Sequence, residues 1–552
     1  MKKITLIASV LTLTNIAFAQ TLQDAIIKTD NERYESAASD FLNLVAKEPA
    51  KGENYFYLGE TYFKSGDLDS ANIFYQKGAD INATYPLNHV GLGKILWSKG
   101  KTADAKAEFF KAATLGANKN ADVMRKTAEV YINSENKSLD EAISLLNAAI
   151  KLEPKNAENH ILMGDALLEK NPSDGGPAIK EYSKATELNP KSPKGVLRSG
   201  KLYQRARNYQ LALDLYKQAE AIDPTYAPAY REKAELYHLA GQKANAVESY
   251  KKYLTLNNSD KERARYAGFL LNNKQYAEAV AEIEALQKTG DTNLYLNRYL
   301  AYSYAELGNK TDSLAYKKGV NAINNFFDKS LKVPNFKYIG ADYKYKGILL
   351  SKTGQDSLGV IEMEKAIVAE PKLEGEMRAL IASTWVKAKK YAKAIDAYTK
   401  KMAGDKNNLA LQDWYDYGRA YYYEGGNKQK EKKDAEALQL FIQADTCFSM
   451  LAQKSPEYAI AYFWRAKANV QQDLKNEKWL AKPYYEKGLE LVTKQNALPA
   501  NKNSVIEACE YLGYYAVTTK DYTKAKEYFG IIRTLDPNNK KAIDFFKSPQ
   551  GK

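Results

Sequence analysis

The sequence predicts an all-α solenoid of about fourteen helix pairs with a C-terminal capping helix. Three observations predict it. The stretch Asn54 to Tyr85 carries Tyr55-x2-Leu58-Gly59-x2-Tyr62, then Gly66, then Ala71-x3-Tyr75, the spacing of two antiparallel helices joined by a short turn. About 34 residues on the same spacing returns as Leu92-Gly93, Leu96, Gly100, Ala105, Phe109 and Ala112. The match then recurs in phase to the end of the chain. Each position has a physical reason. Gly59 and Ala71 sit where two backbones approach, so a larger side chain would wedge them apart. Leu58, Tyr62 and Tyr75 fill the space between the helices and against the next pair, and Gly66 lies in the turn. One pair cannot bury its apolar face alone, so it needs neighbours.

The first segment bears on the compartment. Lys2 and Lys3 form a short positive region, Ile4 to Ile16 is apolar but short for a bilayer span, and Ala17-Phe18-Ala19 is a small-x-small cleavage signal. Residues 1–19 therefore read as a signal peptide that leaves Gln20 as the mature N-terminus, with no cysteine after the cleavage site to carry a lipid. No later apolar run reaches membrane-spanning length. The mature chain reads as exported and periplasmic. The whole chain has a formal charge of +14; removing residues 1–19, with two lysines and no acid, leaves +12. Surface solvation explains that excess most simply, and attraction to an anionic membrane face or polymer is the sharper alternative. The two cysteines, Cys447 and Cys509, fall on helices two repeats apart and read as buried small residues.

Taken in order, Thr21 to Ala50 is a first pair, with Tyr34, Ala37, Phe41 and Pro49 in phase. Residues 52–85 and 86–119 follow without insertion. The fourth pair (121–156) has a longer turn, and the fifth (157–192) carries the loop signal Pro172-Ser173-Asp174-Gly175-Gly176-Pro177. Residues 193–226, 227–259 and 260–290 keep the pattern, and the ninth pair, 294–327, loosens it. Phe326 to Tyr338, with Val333-Pro334-Asn335, fits a joint between two arrays, 20–330 and 331–537. The tenth pair (340–373) and eleventh (375–407) resume. The twelfth opens sharply with Trp414-x2-Tyr417-Gly418-x2-Tyr421, after which Gly425 to Lys433 intrudes, polar and Lys-rich, and Lys428 to Lys433 reads as a solvated loop. The thirteenth starts at Ala459 and the fourteenth carries Leu512-Gly513, Tyr522, Ala525 and Phe529. Residues 538–552 form a capping helix, with Ile543, Phe545 and Phe546 inward and lysines outward.

This pattern of aromatic-x2-Leu-Gly-x2-Tyr followed by Ala-x3-aromatic resembles the tetratricopeptide repeat (TPR) family over nearly the whole mature length. The resemblance implies a right-handed superhelix whose first helices (A) line a concave groove, with the second helices (B) outside. It implies binding of peptides or protein segments and no catalysis. Some family members hold a terminal carboxylate with Lys and Asn on successive A helices. Lys261 and Arg265 match the last set of that clamp, but the earlier helices offer Leu197, Lys201 and Glu232, so the clamp is incomplete. Richness in Lys, Asn and Tyr, with Gln directly after Ala-x-Ala, is similar to exported proteins of the Bacteroidota.

Enzymatic signals are nearly absent. His89, His160 and His238 fall in three different repeats, and no cluster has metal-ligand spacing, so neither a metal nor a cofactor is expected. Gly195 to Lys201 mimics the spacing of a phosphate loop, but Leu202 replaces the required Ser or Thr and Gly200 is a packing glycine. Basic residues are interspersed with acids, which argues against nucleic acid as a partner. Candidate partner-binding residues are those at the second, sixth and ninth positions of helix A. In the ninth pair these are Tyr295, Tyr299 and Tyr302, on one helical face, with Lys261, Arg265, Arg298, Lys344 and Tyr345 near them in register. Farther on come Tyr415, Phe463, Trp464, Tyr511 and Tyr514. Tyr, Trp and Arg make binding hot spots; the alternative is that they pack between adjacent A helices. Arg298→Glu and Tyr299→Ala are expected to weaken partner binding without changing the melting temperature. The expected function is a scaffold that binds a partner protein within an envelope assembly: secretion, motility, outer-membrane biogenesis or TonB-type transport. A chaperone for exported clients and a cell-wall glycan or peptide binder are the alternatives.

Overall fold

A computed structural model describes residues 21–290, 293–308, 314–404 and 409–552; the signal-peptide expectation for residues 1–19 lies outside them. The described residues form helix pairs throughout. The first eight are α1 (Leu22–Asp30) with α2 (Tyr34–Lys47), α3 (Gly52–Ser65) with α4 (Leu68–Ile81), α5 (Leu87–Ser98) with α6 (Thr102–Leu115), α7 (Ala121–Asn133) with α8 (Leu139–Leu152), α9 (Ala157–Lys170) with α10 (Gly176–Leu188), α11 (Lys194–Arg205) with α12 (Tyr209–Ile222), α13 (Ala227–Leu239) with α14 (Lys243–Leu254), and α15 (Asp260–Asn272) with α16 (Tyr276–Lys288). Six more follow: α17 (Leu294–Leu307) with α18 (Leu314–Ser330), α19 (Gly340–Lys352) with α20 (Asp356–Ala369), α21 (Glu374–Lys387) with α22 (Tyr391–Gly404), α23 (Leu411–Lys430) with α24 (Asp434–Lys454), α25 (Ala459–Gln472) with α26 (Lys482–Lys494), and α27 (Lys502–Thr518) with α28 (Tyr522–Leu535). A final helix, α29 (Lys540–Lys547), caps the array. The phase read from the sequence thus holds from the first pair to the fourteenth.

The sequence explains where these helices start and pack. Side-chain caps open several of them: Thr21 and Asp24 form a reciprocal capping box on α1, and Asp67, Asn120, Asn208 and Asp521 each accept a first-turn N–H. Tyr75 of α4 is fully buried between two glycines. A Cβ on Gly59 would lie 2.5 Å from its ring and one on Gly91 of the next pair 2.3 Å from it, so a single aromatic is clamped by its own A helix and the following one. Buried asparagines join successive pairs. Asn54 and Asn88 donate to the carbonyls of Leu44 and Gly52 at 3.3 and 3.1 Å, so the buried amides find acceptors on the preceding pair. In α29, Phe545 stacks on Phe529 at 4.4 Å while Lys540, Lys541 and Lys547 face outward.

The chain divides into two compact units, one ending at Asn293 and the other Leu294–Lys552. Within the second unit α18 runs without interruption through Phe326 to Ser330. The Phe326–Tyr338 stretch packs as an aromatic cluster, with Phe327 stacked on Tyr338 at 4.7 Å and Phe336 5.2 Å from Tyr338.

The twelfth pair corrects the sequence reading. Gly425 to Lys433 does not form an inserted loop. Helix α23 runs on to Lys430 and α24 begins at Asp434, giving helices of 20 and 21 residues where most A helices have 12 to 14. The extension repeats the packing below it. A Cβ on Gly418 would meet Phe448 at 2.7 Å and one on Gly425 would meet Phe441 at 2.8 Å, two turns higher on both helices. Only the connection Glu431 to Lys433 is a turn.

Candidate functional site

The candidates in the second unit largely satisfy one another. Arg298 lies against Asp342 of α19, with Nε and Nη2 at 2.8 and 2.9 Å from its two oxygens, and Asp342 is fully buried. The Tyr302 hydroxyl donates to the same carboxylate at 2.6 Å, and its ring stacks on Tyr345 at 4.1 Å. Tyr345 in turn donates to Glu306 at 3.0 Å, and Lys344 pairs with Glu376 at 2.7 Å. Arg298 also sits over the rings of Phe326 and Tyr295, at 4.6 and 5.2 Å. Arg298 and Tyr302 therefore lock the ninth pair to the tenth, which corrects the expectation that Arg298 can be reversed in charge without loss of stability. Phe463 is also core: it is 1% exposed and fills the place beside Gly488.

The remaining candidates are more open. Tyr299 is half-buried and Tyr295 exposed on α17. Tyr415 is half-buried beside Trp464, which stacks on Phe448 at 5.4 Å. Tyr511 and Tyr514 flank Trp479 at 5.4 and 5.8 Å, with Tyr514 the more exposed. In the first unit Lys261 is exposed, and Arg265 pairs with Glu235 at 2.5 Å.

The larger concavity lies in the first unit, on residues the sequence reading passed over. The A helices α1 to α13 enclose a cavity of about 1230 Å³ whose wall includes Tyr57, Phe63, Trp97, Ser98 and Tyr226. Its charges form a network. Asp30 accepts from Lys64 at 3.1 Å and Lys194 at 2.6 Å. Glu60, 3% exposed, accepts from Lys94 at 2.7 Å and the Tyr75 hydroxyl at 2.6 Å, with Lys126 at 3.5 Å. Lys126 also pairs with Glu129 at 2.9 Å. Burial alone would raise the Asp30 pKa, but the ammonium groups of Lys194 and Lys64 outweigh it and hold the carboxyl well below the usual range. Glu129 is lowered in the same way, Lys126 outweighing burial. Burial pushes Tyr57 up to about 12.

The α1–α2 turn closes this cavity. The end of α1 and the α1–α2 turn reach the sixth and seventh pairs through polar contacts. Asn31, 4% exposed, donates to Asp223 at 2.9 Å and Thr225 at 3.3 Å. Arg231 donates to both oxygens of Glu32 at 2.6 and 2.8 Å, and Tyr253 donates to Glu32 at 3.0 Å. The bonded partners are 164 to 221 residues apart in sequence, so about one full superhelical turn closes on itself. Chemically the wall offers fixed charges of both signs together with aromatic faces, groups able to accept a polar chain. Among the described residues no group of three or more His, Cys, Asp or Glu could hold a metal ion. His89 and His160 each pair with a glutamate of their own B helix, at 2.7 Å. Cys447 and Cys509 are free and buried.

A family model described as "Tetratricopeptide repeat" matches residues 25–86 and 197–261. The C-terminal part of a TPR repeat-containing protein from Cytophaga hutchinsonii is 32% identical, over 52% of this chain and 100% of that chain, with a TM-score of 0.43. The chain belongs to the tetratricopeptide repeat family. Among curated relatives, Small glutamine-rich tetratricopeptide repeat-containing protein 2 of Mycosarcoma maydis is 37% identical over 79 residues, 14% of this chain and 22% of that protein. Tetratricopeptide repeat protein 37 of Xenopus laevis is 25% identical over 214 residues, 38% of this chain and 13% of that protein. The chain thus spans less than a quarter of the length of these curated relatives.

TPR proteins mediate protein–protein interaction, and in this one the sequence carried a signal for the cavity that aromatic hot-spot reasoning missed. Asp30 and Lys64, and Glu60 and Lys94, are opposite charges 34 residues apart, one repeat length. At that interval side chains on successive A helices meet across the inner face, so an acid and a base in phase mark an inward ion-pair ladder.

Proposed function

We propose that this TPR protein is a non-enzymatic scaffold exported to the bacterial periplasm, where it binds a segment of a partner protein within an envelope assembly. The observation that carries the reading is the cavity of the first unit, about 1230 Å³ and lined by ion pairs between successive A helices. A polar segment entering it exchanges one set of paired charges for another, so desolvation is compensated and specificity follows from where the charges stand. The leader-like pattern of residues 2–19 supports export. The mixed signs of the wall favour a protein segment over the uniformly anionic backbone of a nucleic acid.

The test is capture of the tagged full-length protein from its own cells after chemical crosslinking, with fractionation and N-terminal sequencing of the mature form. One stoichiometric envelope protein, and a mature chain starting at Gln20 in the periplasmic fraction, supports the scaffold. A broad set of unrelated exported proteins points to a chaperone instead. A cytosolic chain that keeps residues 1–19 refutes the compartment.

A further inference from the structure

The two additional turns of the twelfth pair border a second pocket that none of the candidate partner-binding residues lines, although Trp464 packs against two of its rings, Tyr422 at 5.4 Å and Tyr423 at 6.0 Å. It encloses about 340 Å³ between the α21–α22 turn, the ends of α23 and α25, and α24. That volume is at the small end of ligand pockets. Its wall carries the rings of Tyr391, Tyr422, Tyr423 and Phe441, with Tyr391 stacked on Tyr423 at 5.1 Å. Gln429 donates to Gln471 at 3.2 Å across the wall. Two lysines, Lys389 and Lys430, line it and no carboxylate does. The acids behind the wall are already matched: Glu424 by Asn427 at 3.1 Å, and Glu507 by Lys467 at 2.9 Å and Tyr485 at 2.7 Å.

A glycine supplies the second observation. Gly425 is required by packing, since its Cβ would strike Phe441. Its neighbour Gly426 is not: a Cβ there meets nothing within 4 Å, and it faces the pocket from inside a 20-residue helix. Glycine is the poorest helix former after proline. A helix-interior glycine with open space before it suits a position where another molecule comes close to the backbone.

We infer that this pocket binds an acidic sugar residue, free or at the end of a glycan chain. Carboxamides and phenol hydroxyls both donate and accept hydrogen bonds, as a ring of hydroxyls requires. The aromatic faces cover the C–H side of such a ring, and the two lysines meet its carboxylate with charge-assisted bonds. A neutral sugar offers the two exposed lysines no counter-charge, and an apolar side chain makes no use of the hydrogen-bonding capacity that the Gln429–Gln471 and Asn427–Glu424 bonds leave over. The proposal stands independently of the partner-binding reading.

The test is calorimetric titration of the full-length protein with sodium glucuronate, sodium galacturonate and a galacturonate trimer, with glucose as the neutral control. Saturable binding of an acidic sugar and none of glucose is the expected result. Lys389 sits at φ +57°, so Lys389→Asn keeps a residue that tolerates the left-handed region; together with Lys430→Gln it is expected to weaken binding at least about tenfold. Gly426→Phe fills the pocket and is expected to abolish binding with an unchanged melting temperature. Binding of the trimer alone assigns the pocket to a glycan end, and binding of the monosaccharide assigns it to the free acid. No saturable binding of any acidic sugar overturns the proposal, as does binding that survives Gly426→Phe. If Gly426→Phe unfolds, equal affinity in the double lysine variant overturns it instead.

Discussion

Closure of the first unit through Glu32 makes a quantitative prediction. Glu32 accepts two bonds from Arg231 and one from Tyr253, and its side chain is 15% exposed against 27% for Arg231, so solvent screens the pair only partly. Removing one member of a buried pair costs about 3–5 kcal/mol because the other charge is stranded. Arg231 keeps a second partner, Glu232 at 2.9 Å, so the low end applies to Glu32→Gln. The coupling in a double-mutant cycle with Arg231→Gln is then expected near 2 kcal/mol, within the range of about 0.5–3 kcal/mol for residues in direct contact. A repeat array need not unfold in one step, so the assay is native-state hydrogen exchange of α1, α2 and α13. Coupling should appear in the opening free energies of all three helices, although α1 and α13 are far apart in sequence. Additivity within about 0.3–0.5 kcal/mol, or an effect confined to α1 and α2, would refute closure.

The remaining predictions concern stability. Arg298→Gln strands the fully buried Asp342 and is expected to lower the stability of the second unit by about 3 kcal/mol, read from denaturant unfolding; Tyr302→Phe, which removes one bond to the same carboxylate, is expected to cost about 1–3 kcal/mol. Acid should loosen the first unit. Asp30, Glu60 and Glu129 are shifted down in the folded state: burial opposes the shift, and the facing lysines outweigh it. A depressed carboxyl stabilises the fold above its unfolded pKa of about 4 and loses that contribution as pH falls through the folded value. Melting temperature should therefore hold between pH 7 and 5 and fall below about pH 4, and Asp30→Asn should flatten that fall.

The helix pairs were legible because packing between stacked repeats permits few residue types. Gly59 and Gly91 leave room for Tyr75, and the same fit recurs as Gly164 with Tyr182, Gly200 with Tyr216, Gly418 with Phe448 and Gly513 with Phe529. The length of a helix is less constrained. The glycines and lysines of the α23–α24 extension have the composition of a loop, and only the fit of Gly425 against Phe441 distinguishes them from one. The inner surfaces were legible only in part. Arg298 and Tyr302 have the composition of a binding surface, but their partner Asp342 lies 44 and 40 residues away, on another helix whose contact no single-helix pattern reveals. The closure through Asn31 and Glu32 left no local trace, since its partners stand up to 221 residues away and are brought back only by the accumulated rotation of the array.

The most direct test of the binding proposal places a photo-crosslinking amino acid at Ser98, which lines the first-unit cavity and is exposed to it, and at Phe110, 74% exposed on a B helix. Crosslinking in living cells followed by mass spectrometry should capture a partner protein from Ser98 and little or nothing from Phe110. Capture from Phe110 alone, or equally from both, would contradict the cavity as the binding element.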